Sequence, residues 1–256
     1  MQHFDPNKYS LALHTTSSQL GLAVSNFAGD SRSSTWDLGR DLSSHLHQHL
    51  AEFLIPQRWE DLAFIAVAKG PGSFTSTRIG IVTARTLAQQ LDIPLFAIST
   101  LAAVAWSQRL ERAEDLDQNA IALQMNAHRG ELFVAIYQAK PIGVGLIPIG
   151  LNNGTFHTPP PPLIKGGAIP ENLSNLNQIG ITPLLSDTVM RQEDWKQTLE
   201  SLETPYQLID VPGELGTSVT SVLSLAYLDW QQGKCSHWSE ALPFYGQHPV
   251  DNKTLK

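Results

Sequence analysis

The sequence predicts an α/β protein with a mixed sheet, because three strand patterns come first and helices then alternate with strands. Short stretches bounded by turn residues predict strands at Tyr9–Thr15, Leu20–Ser25 and Ser33–Asp37. The next stretch, Asp41–Leu54, places leucines at three- and four-residue spacing, which is typical of an amphipathic helix. A strand meander followed by this alternation indicates one α/β lobe.

The rest of the chain continues the alternation and then adds a second set of elements. Strands are predicted at Leu62–Ala68, Leu95–Ser99, Ala120–Met125, Glu131–Gln138 and Tyr206–Val211, and helices at Ser76–Leu91, Thr100–Leu110, Asp187–Glu200 and Glu214–Gln232. Four consecutive prolines, Pro159–Pro162, interrupt the pattern, so we expect a Pro/Gly-rich insertion over 139–170. We divide the chain into a first lobe (1–110), a smaller second lobe (111–213) and a C-terminal helix and tail (214–256) that packs back on the first lobe.

Composition excludes several classes of protein. Hydrophobic residues make up 42% and charged residues 16%, as in soluble globular proteins, and the apolar runs end well before the ~18 residues of a membrane span. A single cysteine, Cys235, precludes an internal disulfide, and we expect a cytoplasmic protein. The 17 Lys and Arg residues are scattered at a net charge of −7, so a partner would have to supply any RNA-binding surface.

The segment Lys69–Gly80, with the sequence KGPGSFTSTRIG, joins a predicted strand to a predicted helix. Gly70 and Gly72 allow positive φ and the close approach of a backbone or ligand, and Ser73 or Thr75 can accept from N–H groups of the first helical turn. Three interpretations stay open: a turn that binds phosphate, a tight turn without a ligand, and the start of a helix that binds a partner. The lysine is not at P-loop spacing.

The helix after this turn carries small residues at every fourth position. These are Ser76, Gly80, Ala84 and Ala88, and they leave one ridge almost without side chains. A neighbouring element can approach such a ridge closely. Glycine inside a helix costs roughly 1 kcal/mol relative to alanine, so we expect a packing reason for Gly80.

The sequence contains no motif for metal, thiol or serine chemistry. His45 and His49 share a helix face, but no third ligand at suitable spacing completes a zinc site, so they are interpreted as surface histidines. No GxSxG motif occurs, and Cys235 has no evident histidine partner.

Four blocks, in their order along the chain, resemble the bacterial TsaB family, also called YeaZ. The blocks are LALHTTSSQLGLAV, VAKGPGSFTSTRIGIVTARTLA, IPLFAISTLAAVA and NAHRGELFVAIY, within about the first 138 residues, and PFYGQHPV near the end also matches. The resemblance implies the two-lobe fold of actin, hexokinase and Hsp70-like ATPases, a ribonuclease H-like fold with mixed sheets, here with a degenerate second lobe.

The resemblance also implies a function. Members of this family are non-catalytic dimerisation subunits that bind and activate the TsaD enzyme, with the P-loop ATPase TsaE, in forming N6-threonylcarbamoyladenosine beside the tRNA anticodon. It implies a heterodimer with a TsaD-like subunit, indirect contact with tRNA, a homodimer when the chain is alone, and no membrane. No cofactor is expected to bind to this chain by itself. ATP or ADP with Mg²⁺ is expected only at the interface that the chain shares with the other subunits of the complex.

Two residues depart from the family pattern. His14, in HTTSS, and Asn126, in NAHRGELF, stand where the family usually has aspartate, and active members of the fold hold Mg²⁺ with the first of these. Mg²⁺ prefers hard oxygen ligands, so an imidazole cannot replace that carboxylate. The alternative function, an independent small-molecule kinase of the same fold class, is therefore disfavoured. A metal-free peptidase, suggested by older family names, lacks a nucleophile–base pair.

We expect no catalytic and no metal-binding residue in this chain. Weak candidates for a cofactor contact are Thr15, Gly70, Gly72 and Ser73. In relatives the two helices of the first lobe pack on the equivalent pair of TsaD, and the corresponding interface candidates are Leu46, Leu50, Ser76, Ile79, Gly80, Thr83 and Ala84. On this hypothesis Gly80→Leu would break the heterodimer and leave the fold intact.

Overall fold

The computed structural model describes residues 4–111, 119–141, 179–234 and 236–246. The strands are β1 (Tyr9–His14), β2 (Gln19–Ser25), β3 (Ser31–Asp37), β4 (Leu62–Ala68), β5 (Leu95–Ile98), β6 (Ala120–Asn126), β7 (Glu131–Pro141), β8 (Ile179–Arg191) and β9 (Tyr206–Asp210). The α-helices are α1 (Leu42–Leu54), α2 (Phe74–Leu91), α3 (Thr100–Glu111), α4 (Gln192–Glu200) and α5 (Val219–Gln231).

The first sheet is mixed, with the strand order β3-β2-β1-β4-β5. The central strand β1 pairs antiparallel with β2, where His14 faces Gly21, and parallel with β4, which in turn is parallel to β5. The carboxyl ends of three parallel strands, at His14, Ala68 and Ile98, therefore meet at one edge of the sheet. The loops that follow these residues form the candidate site.

Helices cover both faces of the first sheet. The leucines of α1 predicted to form its apolar stripe are buried, together with small residues of α2, against one face. The opposite face packs on α5 and on part of α3, around Phe64, Phe96 and Val222. The last helix thus completes the core of the first lobe.

The second sheet has the strand order β8-β7-β6-β9. Its inner face packs on α3 through Leu101, Leu123 and Tyr137, so α3 lies between the two sheets. Its outer face is covered by the short helix α4, which buries Trp195 and Leu199. The indole N–H of Trp195 donates to Gln124 at 2.7 Å, which fixes this helix across the sheet.

Several boundaries differ from the sequence predictions; the last helix, predicted from Glu214, begins at Val219 after a 3-10 turn. Residues 187–191, predicted as the start of a helix, are the end of β8, where a long ladder pairs Glu131 with Arg191; this tertiary pairing outweighs local helical preference. The helix predicted to begin at Ser76 begins at Phe74. Residues 139–141, predicted as the start of the insertion, belong to β7. The remainder of the predicted insertion lies outside the described residues, and so does Cys235.

In the described parts of the chain, no helix is both long enough and apolar enough to cross a membrane.

Candidate functional site

His14 ends the central strand with its side chain fully enclosed. Its exposed fraction is 0%, and neither ring nitrogen has a hydrogen-bond partner among the described residues. Burial lowers the pKa of this imidazole to about 3, since an apolar enclosure disfavours the charged form. The residue that stands in place of a metal-binding carboxylate is therefore a neutral ring inside the core.

The turn after β1 uses its hydroxyl and carbonyl groups within the chain. The hydroxyl of Thr15 donates to the carbonyl of Ser76 at 2.9 Å, and the carbonyl of Thr16 accepts from the N–H of Ser73 at 2.7 Å. The hydroxyl of Ser17 accepts from the N–H of Leu215 at 3.3 Å. All three turn residues are buried, so the turn is joined to α2 on one side and to the segment before α5 on the other.

The glycine-proline loop is packed against this turn, and that explains its composition. Gly70 has φ of +100°, which favours glycine, and its carbonyl accepts from the N–H of Thr100 at 2.8 Å. A Cβ on Gly72 would collide with Thr16. Of the two predicted capping residues, Ser73 precedes the helix but does not cap it through its side chain, and its hydroxyl donates to that of Ser76 at 3.0 Å.

The fold class implies Mg²⁺ and a nucleotide at this place, but the residues present do not fit them. Mg²⁺ requires oxygen ligands, most often carboxylates, and the buried His14 offers none. Within the described ranges no group of three or more His, Cys, Asp or Glu side chains could hold a metal ion. The cofactor candidates Thr15, Gly70, Gly72 and Ser73 do lie together, and Thr15 and the two glycines are in contact with other parts of the same chain.

The predicted interface residues divide into two groups. Leu46, Leu50, Gly80, Thr83 and Ala84 are buried inside this chain. Ser76 and Ile79 are half-buried at the surface of α2. Val82, which sequence reasoning did not select, is 60% exposed on the same helix. A protein approaching α2 would therefore meet Ile79 and Val82 before the small-residue ridge.

The small-residue ridge of α2 faces the turn after β1, which supplies the packing reason expected for Gly80. A Cβ on Gly80 would collide with the hydroxyl oxygen of Thr15. The expectation that Gly80→Leu leaves the fold intact is therefore wrong. The exchange would push α2 off its own sheet before it affected any partner.

A polar cluster between the lobes was not found from the sequence. The hydroxyl of Tyr137, on β7, donates to the carboxylate of Asp187, on β8, at 2.9 Å and lies 3.4 Å from the hydroxyl of Ser99, which precedes α3. Burial raises the pKa of the Asp187 carboxyl, and hydrogen bonds from Ser99 and Tyr137, with the charge of Lys69, oppose that rise. The sequence did not predict this cluster, because Asp187 was expected to begin a helix at the surface.

Parts of this sequence are similar to known proteins. The family model "TsaD: tRNA N6-adenosine threonylcarbamoyltransferase" matches residues 41–141. The chain is 43% identical over 81 residues to the tRNA threonylcarbamoyladenosine biosynthesis protein TsaB of Bacillus subtilis (strain 168). This match covers 32% of this chain and 33% of that protein. The protein of the same name from Escherichia coli (strain K12) is 32% identical over 84 residues, or 33% of this chain and 35% of that protein. The matches thus span about a third of the length of these relatives.

Two solved structures resemble most of the chain. One is described as an uncharacterized protein with similarity to peptidase YEAZ from Pseudomonas aeruginosa, with a TM-score of 0.64 at 20% identity over 94% of this chain and 100% of that one. The other, YeaZ from Pseudomonas aeruginosa, has a TM-score of 0.60 at 20% identity over 93% and 99%. At this identity the likeness concerns the fold.

Together the two sheets, the central hairpin and the solved structures confirm the predicted fold, a two-lobed α/β fold of the actin, hexokinase and Hsp70-like class. Within that class, the curated relatives and the YeaZ structures confirm the resemblance to the TsaB, or YeaZ, family.

Proposed function

We propose that this chain acts in the biosynthesis of tRNA threonylcarbamoyladenosine as a non-catalytic subunit that binds and activates a TsaD-like catalytic subunit. The names of the matched relatives support the pathway. The match of 41–141 to the TsaD family model fits a pair of related folds that associate through equivalent helices. The observation that carries the non-catalytic role is His14, a buried neutral ring where an active member of the class needs a carboxylate.

The contact surface in this proposal is the outer side of α1 and α2. Both helices cover the same face of the first sheet, so their outer sides form one surface. Val82 exposes 60% of its side chain there, beside the half-buried Ile79. Apolar side chains exposed together on a helix surface are typical of protein contacts.

A carboxylate in this surface is expected to abolish the heterodimer. Val82→Asp would bury an unpaired charge at the contact, while an exposed site on the free chain tolerates the exchange within about 0.5 kcal/mol. Co-purification of the variant with the TsaD-like subunit of the same source should fail, and its urea unfolding curve should match that of the unmodified chain.

Gln197→Asp, on exposed α4 of the second lobe, is the matched control, since it adds the same charge far from the proposed contact. It should co-purify normally. Normal co-purification of Val82→Asp would contradict the placement of the interface on α2.

The pathway itself is tested in cells. Depletion of the chain should lower N6-threonylcarbamoyladenosine in tRNA, measured by mass spectrometry of nucleosides. Expression of the unmodified chain, which has His14, should restore it. The purified chain without partners should neither hydrolyse ATP nor modify tRNA. Unchanged nucleoside levels would contradict the pathway, and ATP hydrolysis by the chain alone would contradict the non-catalytic role.

The remaining partners belong to the same proposal. A TsaE-like ATPase would join the complex, tRNA would contact it through the other subunits, and ATP or ADP with Mg²⁺ would bind at the shared interface. The scattered basic residues and the net charge of −7 support an indirect contact with tRNA. In the absence of the catalytic subunit, the same apolar surface favours a homodimer.

A further inference from the structure

A cavity of about 520 Å³ lies between the two lobes. We call it the seam cavity. It is bounded by the end of β5, the last turns of α5 and the start of β8, and its apolar walls include Ala102, Ile181, Leu225 and Leu228. Its volume falls in the range of about 300 to 1,000 Å³ that is typical of small-molecule sites.

The polar end of the seam cavity is formed by Ser99 and Tyr137. Tyr137 donates its hydroxyl proton to the carboxylate of Asp187 at 2.9 Å, and Ser99 is also hydrogen-bonded to that carboxylate. Because an ionised carboxylate only accepts hydrogen bonds, both hydroxyl protons are directed to it. The Ser99 oxygen also accepts from the N–H of Ala102 at 3.0 Å, so it keeps one lone pair for the cavity, beside those of the Tyr137 oxygen.

Asp187 also supplies a negative charge directly behind these hydroxyls. The nearby charge of Lys69 acts on the same carboxylate, but this lysine does not line the cavity. The other charged groups at the cavity, Asp229 and Lys234, are paired with each other. The inner end of the cavity therefore presents two hydroxyl oxygens as acceptors, with the Asp187 carboxylate behind them.

We propose that the seam cavity binds an organic cation with a primary ammonium head and an apolar body. An ammonium group has three donors and no acceptor, so it matches an end that offers lone pairs of Tyr137 and Ser99. The apolar body would lie along Ile181, Leu225 and Leu228. A ligand with a carboxylate head would be repelled, and one with a hydroxyl head would gain less.

Three probes with one apolar body test the preference for the head group. They are 4-phenylbutylamine, 4-phenylbutan-1-ol and 4-phenylbutyrate, titrated into the full chain by calorimetry. We expect the amine to bind at least about tenfold more tightly than the alcohol, as a charge-assisted hydrogen bond is worth a factor of this order, and the acid not to bind. Equal binding of amine and alcohol, or no binding of the amine, would overturn the proposal.

NMR of the chain with methyl-labelled Ile and Leu tests where the amine binds. Bound amine should give intermolecular contacts to Ile181, Leu225 and Leu228, and contacts confined to another surface would refute the assignment. These measurements use the unmodified chain, so they do not depend on whether any variant folds.

Variants then test the polar end. Tyr137→Phe and Asp187→Asn should each weaken binding of the amine about tenfold while leaving the alcohol nearly unchanged. Tyr206→Phe, an exposed tyrosine on β9, is the matched control and should bind the amine like the unmodified chain. Loss of amine and alcohol binding to the same degree would indicate a damaged cavity and would count against a role for the head group.

Discussion

At the scale of single residues, His14 is held in an unusual state for a histidine. It lies at the end of the central strand, has no exposed surface, and its two nitrogens find no partner among the described residues. An unpaired polar group in an apolar enclosure costs free energy, and a charged one costs much more. The fold therefore accepts this residue only in its neutral form.

Acid is expected to destabilise the protein through this residue. The pKa of His14 is about 3 in the folded state, against about 6.5 in the unfolded chain. Between these values the unfolded chain binds a proton that the folded state does not, so stability is lost as pH falls below about 6.5. By pH 5 the loss from this group is about 2 kcal/mol.

Urea unfolding of His14→Leu between pH 7.5 and pH 5 measures this effect. The variant should gain about 2 kcal/mol relative to the unmodified chain over that interval, because leucine takes up no proton. The same exchange at exposed His47 serves as the matched control. A difference between variant and unmodified chain that stays constant with pH would show that His14 is accessible to protons.

The sequence indicated which residue stands at position 14 but not what surrounds it. The replacement of aspartate by histidine could be noticed beside the family pattern, and the absence of a metal site there stays a prediction. Whether the ring faces a cleft or the core depends on the packing of α5 on the sheet, which no local pattern specifies. Gly80 behaved similarly, since its packing was expected but Thr15 as its neighbour was not.

At the scale of elements, Arg32 fixes the end of α1. Its Nη2 lies 2.9, 3.0 and 3.2 Å from the carbonyl oxygens of Phe53, Leu54 and Ile55, which share its two protons with the side-chain oxygen of Gln57. The last carbonyls of a helix have no partner within it, and a cation near them is favourable. An arginine on a neighbouring strand thus takes the place of a local capping residue.

Loss of this contact is expected to destabilise the first lobe. Arg32→Met keeps much of the aliphatic side chain but removes these shared hydrogen bonds, and we expect a loss of about 2 kcal/mol in the free energy of unfolding. Arg78→Met is a matched control, because both arginines lie over a phenylalanine ring, at 5.2 Å for Arg32 and 5.3 Å for Arg78. Equal losses in the two variants would assign the effect to the ring contact.

Elements with a strong apolar period were predictable, and those fixed by partners were not. The leucine spacing of α1 correctly identified its buried face, since Leu42, Leu46, Leu50 and Leu54 all lie in the core. In contrast, β8 has many polar residues and owes its length to pairing with β7, so local pattern favoured a helix over its last five residues.

At the scale of the whole molecule, the C-terminal tail crosses from one lobe to the other. The N–H of Phe244 donates to the carbonyl of Lys69 in the first lobe at 2.7 Å, and the ring of Phe244 lies 6.3 Å from that of Phe133 in the second. Gly246 follows with φ of +55°, and a Cβ there would collide with Val189 and Phe133. The tail holds the two lobes together beside the glycine-proline loop.

Gly246→Ala is expected to lift the tail from the second lobe. The hydrogen bond of the Phe244 amide should then open more often, and its hydrogen exchange should speed up roughly tenfold for about 1.4 kcal/mol of strain. Gly233→Ala is the matched control, because Gly233 also has positive φ, of +72°, but no atom within 4 Å of the added Cβ. It should leave the exchange of Phe244 unchanged, and an equal acceleration would assign the effect to backbone strain alone.

The enclosure of His14 has a consequence for attempts to turn this scaffold into a catalyst. Restoring aspartate at that single position would place an acid in a dry compartment without a counterion, where it would keep its proton and attract no metal. Thr15 and Thr16 would still be tied to the neighbouring loop. Giving this scaffold a metal-dependent chemistry would therefore require water to enter between α5 and the sheet, through several coordinated exchanges.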